Sequence, residues 1–317
     1  MPQVRNTKTP KTELISPQVV EKPEAVEEGP PPIKTTVLVV SYNRAELLRK
    51  SVEALERSTD REKIEILVID NGSTDGSAQM EADFPKTRFI RMPRNFGLTK
   101  ALNVALRSAT GEFILLTHED TEVAPETVSL LTAILETQND VGAVCPLLIG
   151  PDGQPAPQIS SLPVPGRTEI VWRPADAARG DQTVEYARGA AIMIRRLSLR
   201  AMGQIDERYG TFGSDAEICY QVRRAGKRVL LTTATKVVHQ GRGDMDAKSR
   251  GALEADRILG TARFLSKHYG FLRGVLYRIS TLLGALGGVL TFSDLSYRMA
   301  LFGGLAAGQK VDGTQAQ

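Results

Sequence analysis

The chain first shows a strong pattern at Thr35-Thr36-Val37-Leu38-Val39-Val40, a continuous β-branched and aliphatic run of the kind that forms a strand covered on both faces. Residues 44–57 follow with Leu47/Leu48, Val52 and Leu55 three to four positions apart and charges between them, which predicts an amphipathic helix. The alternation then repeats as strand over Ile64–Ile69, short helix over Gly76–Ala82, strand over Arg88–Arg91, helix over Thr99–Ala109 and strand over Glu112–Leu116. Later, Ala187–Ile194 reads as a buried strand, Asp215–Ala225 as a helix ended by Gly226, and Arg228–Thr232 as a final strand. Strands alternating with helices predict βαβ units, hence an α/β fold whose mostly parallel sheet is flanked by helices. Residues 146–165 contain six prolines, which excludes regular helix and central strand and predicts a long, substrate-facing loop.

The two ends of the chain depart from this pattern. Residues 1–32 hold seven of the 17 prolines, mixed charges and no aromatic side chain, so a disordered tail is expected as far as residue 34. A catalytic domain is expected over 35–256 and a basic, amphipathic helical extension over 257–317. In that extension Leu272, Leu276, Ile279, Leu283, Leu286 and Leu290 form a helical apolar stripe flanked by Arg273 and Arg278. The uncharged run from Ile279 to Ser293 covers about 22 Å as helix against a hydrocarbon core of about 30 Å, too short to span it well. Two readings lead: a helix packed on the catalytic domain or in a homodimer interface, and a helix lying on an anionic membrane surface.

Hydrophobic residues at 41% and charged residues at 24% exclude a collagen-like, fully disordered or polytopic membrane chain. The formal charge of +3 is uneven: residues 257–317 carry seven Lys and Arg against Asp294 and Asp312, leaving −2 for the rest. The basicity therefore belongs to the C-terminal end and gives no reason to expect a nucleic-acid partner. Cys145 and Cys219 both lie in apolar runs and read as buried, reduced thiols, which fits a cytoplasmic protein. The polar stretch from Met1 to Thr12 lacks the apolar core of a signal peptide.

In parallel α/β sheets ligands bind beyond the C-terminal strand ends, so the residues that follow each strand carry the candidate chemistry. No G-x-G-x-x-G follows the first strand and no G-x-x-x-x-G-K-[ST] occurs, so neither dinucleotide nor Walker-type phosphate loops are present. Instead Ser41-Tyr42-Asn43-Arg44 ends the first strand and Asp70-Asn71-Gly72-Ser73-Thr74-Asp75 the second. Asp70 is placed to accept from a base or ribose, and Asp75 to cap the next helix. After the third strand, Asn95, Gly97 and Lys100 lie where a helix N-terminus could face a phosphate. The fourth strand ends in Thr117-His118-Glu119-Asp120, where His118 and Asp120 point to one side if the chain stays extended and suit a shared divalent metal, Mn2+ or Mg2+. His239 follows Val237-Val238 at another strand end and could be a third ligand, whereas His268, in a basic helix, is expected to be exposed. Asp206-Glu207-Arg208 reads as a self-satisfied loop, and Asp215 opens a helix, where it can cap and also act as a base.

Taken in order, Val39-Val40-Ser41-Tyr42-Asn43, Val68-Ile69-Asp70-Asn71-Gly72-Ser73-Thr74-Asp75, Asn95-Phe96-Gly97, Asp120, Gly189-Ala190-Ala191, Asp206-Glu207-Arg208, Gly213-Ser214-Asp215 and His239 resemble the family 2 inverting glycosyltransferases of GT-A fold. The likeness is strongest to the rhamnosyltransferase-like branch that builds bacterial surface polysaccharides, and it covers roughly residues 35–245. The resemblance implies a nucleotide-diphosphate-sugar donor, with Tyr42 and Asp70 on base and ribose. Asp120 would hold the metal on the diphosphate, His239 would lie close by, and Asp215 would deprotonate a glycan or lipid-linked acceptor. Ser41, Asn43, Asn71, Asn95, Gly97 and Lys100 complete the donor-binding candidates. Two positions differ from the family pattern: His118 stands where its metal motif begins with Asp or Asn, and Ser214 where a Glu precedes the base. These differences leave a catalytically weakened nucleotide-sugar-binding scaffold as the first rival. A sugar-1-phosphate nucleotidyltransferase is disfavoured, because no Gly-rich, basic triphosphate loop follows the first strand. A place in the cytoplasm, or peripherally on the inner face of the plasma membrane, follows from the same reading.

Overall fold

The structure is a computed structural model that describes residues 32–241, 243, 245–289 and 294–308. The expected tail up to residue 31, and Leu290 of the apolar stripe, lie outside the described residues. Lys34, expected in the tail, is tied down: its N–H donates to Lys63 O (2.8 Å), and its ammonium pairs with Glu136 (2.6 Å) and Glu112 (3.1 Å).

The first half alternates as the sequence predicts: β1 (Thr35–Ser41), α1 (Ala45–Glu56), β2 (Ile64–Asp70), β3 (Arg88–Arg91), α2 (Leu98–Ser108), β4 (Phe113–His118) and β5 (Thr121–Val123). The unbroken apolar run of β1 serves two cores at once. Leu38 and Val40 enter the layer on one face of the sheet, and Val37 and Val39 enter the layer on the other. Gly76–Ala82 forms a 3₁₀ helix rather than an α-helix, capped by Asp75, which accepts from Ser77 N. The second half contains α3 (Thr127–Thr137), β6 (Val141–Ile149), β7 (Pro157–Ser160), β8 (Arg173–Pro174), β9 (Gln182–Val184), β10 (Tyr186–Ala187), β11 (Ala191–Arg195), α4 (Arg196–Met202), α5 (Ser214–Arg224) and β12 (Arg228–His239). Three helices follow, α6 (Ala247–Tyr269), α7 (Phe271–Val289) and α8 (Leu295–Ala307).

The main sheet runs β3-β2-β1-β4-β11-β6-β12-β5, with β9 also paired to β12, and a small second sheet runs β10-β7-β8. β3, β2, β1 and β4 are parallel, as are β6 and β12, while β11 runs antiparallel between β4 and β6. The fold is therefore mixed α/β with a largely parallel central sheet flanked by helices.

Residues 146–165 are not one loop. β6 is a central strand that contains Pro146, contrary to the expectation from its prolines. The reason is local. Pairing with β11 reaches only Val144, and opposite Pro146 the β12 register shifts between Thr232 and Lys236, so the missing N–H falls where the ladder is already interrupted. The chain then folds back, and buried Gln158 closes the return by donating to Pro146 O (2.5 Å) and accepting from Leu148 N (2.9 Å). The stretch from Ala187 to Ile194 is likewise divided between β10 of the small sheet and β11 of the main one, with Arg188-Gly189-Ala190 crossing between them. Cys145 and Cys219 are free and buried, and burial pushes the Cys219 thiol up to about 12.

Candidate active site

A cavity of about 420 Å³ opens at the C-terminal ends of β1 and β4, and a large share of the strand-end candidates line it. Ser41 and Tyr42 come from the end of β1, His118 and Asp120 from the end of β4, and His239 from the end of β12. Asn71 and Asn95 contribute from the turns after β2 and β3, and Asp215 from the first turn of α5. Asn43, Asp70, Gly97 and Lys100 do not line it. Asn43 sits in the left-handed region (φ 50°), where its Oδ1 accepts from Thr74 N (2.8 Å) and its N–H donates to Ser73 Oγ (2.9 Å). Asp70 lies underneath, its Oδ1 accepting from Ser73 N (2.8 Å). Gly97 is the N-cap of α2, and the Lys100 ammonium lies over the Phe96 ring (4.5 Å). These residues shape the loops that carry the cavity wall. Gly72 shows how tightly: at φ +82° its Cβ would stand 2.5 Å from the Arg94 backbone, so only glycine lets the two turns meet.

Two elements distant in sequence build the acidic and imidazole cluster. β5 turns back from β4 and pairs antiparallel with the end of β12, placing Thr121 opposite His239. Glu119 and Asp120 occupy a turn, not the extended segment expected, and the turn rather than strand alternation brings Asp120 alongside His118. Ligand atoms of His118, Asp120 and His239 all lie within 4.8 Å of one another. His239 Nε2 stands 3.4 Å and His118 Nδ1 3.8 Å from Asp120 Oδ1, which is buried and has no hydrogen-bond partner. Arg44, immediately after Asn43, reaches Asp120 Oδ2 at 3.4 Å and Glu119 at 3.7 Å. Burial pushes the Asp120 carboxyl up, but His239, His118 and Arg44 outweigh it and hold the group down to about 2. One ionised carboxylate with an unsatisfied oxygen between two imidazoles fits a divalent cation.

Asp215 occupies the second position of α5, where Oδ1 accepts from Ala216 N (2.9 Å) and from Tyr186 OH (2.7 Å). Its Oδ2 accepts from Gly189 N (3.3 Å). Burial outweighs these hydrogen bonds and the nearby Arg188, so the Asp215 carboxyl is raised above the usual carboxylate range. The small sheet supplies what the sequence did not single out. Tyr186 comes from β10, and Trp172 packs on it (centroids 4.7 Å apart) while facing the cavity. The Arg188 guanidinium lies over Trp172 at 4.9 Å, and its burial lowers its basicity. No residue of 146–165 lines the cavity.

Below the site, His268 is buried rather than exposed. Its Nε2 lies 2.8 Å from Glu217 Oε2, which also accepts from Tyr209 OH (3.1 Å). Lys267 Nζ and Gln221 Nε2 donate to Glu217 Oε1, each at 2.9 Å. Burial raises the Glu217 carboxyl, yet His268, Gln221 and Lys267 hold it down to about 2. Asp206-Glu207-Arg208 is the local loop expected, with Arg208 closing on Asp206 at 2.6 Å. Asp256 of α6 accepts from Thr211 N (2.8 Å) and Phe212 N (3.3 Å), fixing the loop that leads into α5.

The mixed α/β fold, with its largely parallel central sheet flanked by helices, is that of the GT-A glycosyltransferases. The chain belongs to glycosyl transferase family 2, whose profile matches residues 36–203, and it is a glycosyltransferase. The N-acetylglucosaminyl-diphospho-decaprenol L-rhamnosyltransferase of Mycobacterium tuberculosis (strain ATCC 25618 / H37Rv) is 22% identical over 230 residues, 64% of this chain and 75% of that one. Among solved structures, GalNAc-T7 with UDP, GalNAc and Mn2+ superposes with a TM-score of 0.60 at 17% identity, over 74% of this chain. The match spans 48% of that protein's length. Mannosyltransferase PcManGT from Pyrobaculum calidifontis, in complex with GDP-Man and Mn2+, gives 0.53 at 19% identity over 87% of this chain and 85% of that one. The two structural likenesses bear on the fold, and both neighbours were solved with Mn2+.

Proposed function

We propose that the protein transfers a hexose or deoxyhexose, such as rhamnose, from a nucleotide-diphosphate donor to a hydroxyl of a glycan or lipid-linked acceptor, with inversion at the anomeric carbon. The observation that carries this reading is where buried polarity is left unsatisfied. Among the described residues, nine buried side-chain polar atoms lack a hydrogen-bond partner, and three of them, Ser41 Oγ, Asn95 Nδ2 and Asp120 Oδ1, belong to residues that line the cavity. Buried polar atoms are normally paired, so such a cluster at one sheet edge asks for a polar ligand. Single-displacement transfer needs a base on the acceptor side and charge neutralisation on the leaving diphosphate. Asp215, its carboxyl raised by burial, serves as the base, with Tyr186 and Gly189 holding both its oxygens. His118, Asp120 and His239 would hold a divalent cation, Mn2+ or Mg2+, which supplies charge neutralisation to the diphosphate when bound. Tyr42, Asn71 and Asn95 form the donor wall, and Trp172 offers an aromatic face for a sugar ring.

The test is thermal stabilisation by UDP, dTDP, GDP and CMP, with and without Mn2+ or Mg2+, in the native chain and in Asp120→Ala. A nucleotide at about 100 times its Kd stabilises by about 2.7 kcal/mol, a rise of roughly 5–10 °C. A metal-dependent rise with one nucleoside diphosphate, lost in Asp120→Ala, is expected; no rise with any of the four overturns the donor site.

A further inference from the structure

Among the described residues, exposed large apolar side chains concentrate on the last two helices. Elsewhere they are Ile33, Val171 and Leu197, scattered singly, whereas Phe271, Leu272, Leu276, Ile279, Leu283 and Leu286 all belong to α7 and are between 43% and 72% exposed. At 100° per residue the five from Leu272 to Leu286 fall within about 40° of one line along the helix. The opposite face carries the protein contacts. A Cβ on Gly274 would meet Ser266 and the Ala262 carbonyl, Arg278 donates to Leu305 O (2.9 Å), and Ala285 packs with Ala255, Ile258, Leu259 and Leu305. The helix is thus inverted for a water-facing element, with small and polar residues inward and leucines outward.

Two observations say what covers this face. α7 contains no Asp or Glu, and Arg273 and Arg278 flank its apolar stripe. A second copy docking through its own α7 therefore brings no carboxylate from that helix to Arg273. No described helix is long and apolar enough to cross a membrane, so α7 is suited to lie along a surface. The opposite face of α7 packs back along α6, with Gly274 against Ser266 and Ala285 in one apolar cluster with Ala255, Ile258 and Leu259, and α6 also carries Leu253, which lines the cavity.

We propose that the exposed face of α7 docks on an anionic phospholipid surface, so that the acceptor taken at the Leu253 end of the cavity is one anchored in that lipid. The clause on the acceptor rests on the proposed transferase reading; the docking itself does not. The test is co-sedimentation of the full-length chain, without nucleotide, with vesicles of phosphatidylglycerol and phosphatidylcholine or of phosphatidylcholine alone. Binding to the anionic vesicles, weakened by 0.5 M salt and reduced at least tenfold in Leu276→Asp/Leu283→Asp, is expected. Leu197→Asp, on α4, should bind as the native chain does. Both substituted leucines are exposed, and an unchanged melting temperature checks that the variant is folded. Equal binding by the double variant, no binding by the native chain, or a native dimer that the double variant converts to monomer without any vesicle binding would each overturn the proposal. Nucleotide stabilisation measured on the same samples separates failure of docking from failure of the transferase reading.

Discussion

Replacing Glu217 with alanine tests whether the helix that presents Asp215 is anchored from beneath by the buried network to α6. The Glu217 side chain is 6% exposed and His268 4%, so the substitution leaves the imidazole and Tyr209 OH without their acceptor. Removing one member of a buried ionic pair costs about 3–5 kcal/mol. Lys267 is 35% exposed and can turn to solvent, which places the loss near the lower end. Linkage gives the same scale. The carboxyl is held down from 4.5 to about 2, and at about 1.4 kcal/mol per pH unit this corresponds to on the order of 3 kcal/mol. For a chain of this size the melting temperature should fall by about 6–12 °C, read by circular dichroism at pH 7. The sign of the pH dependence is fixed as well. A depressed carboxyl stabilises fully above its unfolded value and loses that contribution as pH falls towards its folded value. The gap between native chain and variant should therefore narrow as pH drops from 4.5 towards 2. A fall of less than about 2 °C at pH 7, or a gap that does not narrow in acid, would show that the network carries no net stability.

Other substitutions probe the site directly. Asp215→Asn should lower kcat by about 10²–10⁴-fold while leaving nucleotide-induced stabilisation intact, and full activity would remove it as the base. Tyr186→Phe deletes a hydrogen bond that favours ionised Asp215, so the acidic limb of the kcat profile should move to higher pH; a limb that stays or moves down refutes that contact. Gly72→Ala should cost roughly 2–4 kcal/mol in a thermal melt, since the new methyl meets the Arg94 backbone at a positive φ.

The parallel half of the sheet and its ligand edge were legible because each strand is a near-continuous apolar run ending in a polar turn. Ser41-Tyr42, Asn71, Asn95, His118, Asp120 and His239 all reach the cavity by that rule. Illegible parts depend on pairings between residues far apart in the chain. Tyr186 and Trp172 come from strands of two residues and the loop beside them, too short for any periodicity, although Trp172 is the chain's single tryptophan and stands next to the basic and proline-rich segments. Proline composition predicted one long loop over residues 146–165, yet Pro146 is admitted to a central strand because a bulge lies opposite it, and residues 157–160 form β7. His268 looked exposed from its basic neighbours; the carboxylate that buries it lies 51 positions away.

The unbroken course of α6 from Ala247 to Tyr269 bears on how the protein can be shortened. Its first half carries Leu253 of the cavity wall and Asp256, the clasp on the loop before Asp215. Its second half contributes Phe264 to the main apolar layer and His268 to the Glu217 network. A chain ending at residue 256 would lose the second set and open α5 on one side. One ending at residue 269 keeps both sets but bares Ala255, Ile258 and Leu259, which pack with Ala285 of α7 and Leu305 of α8.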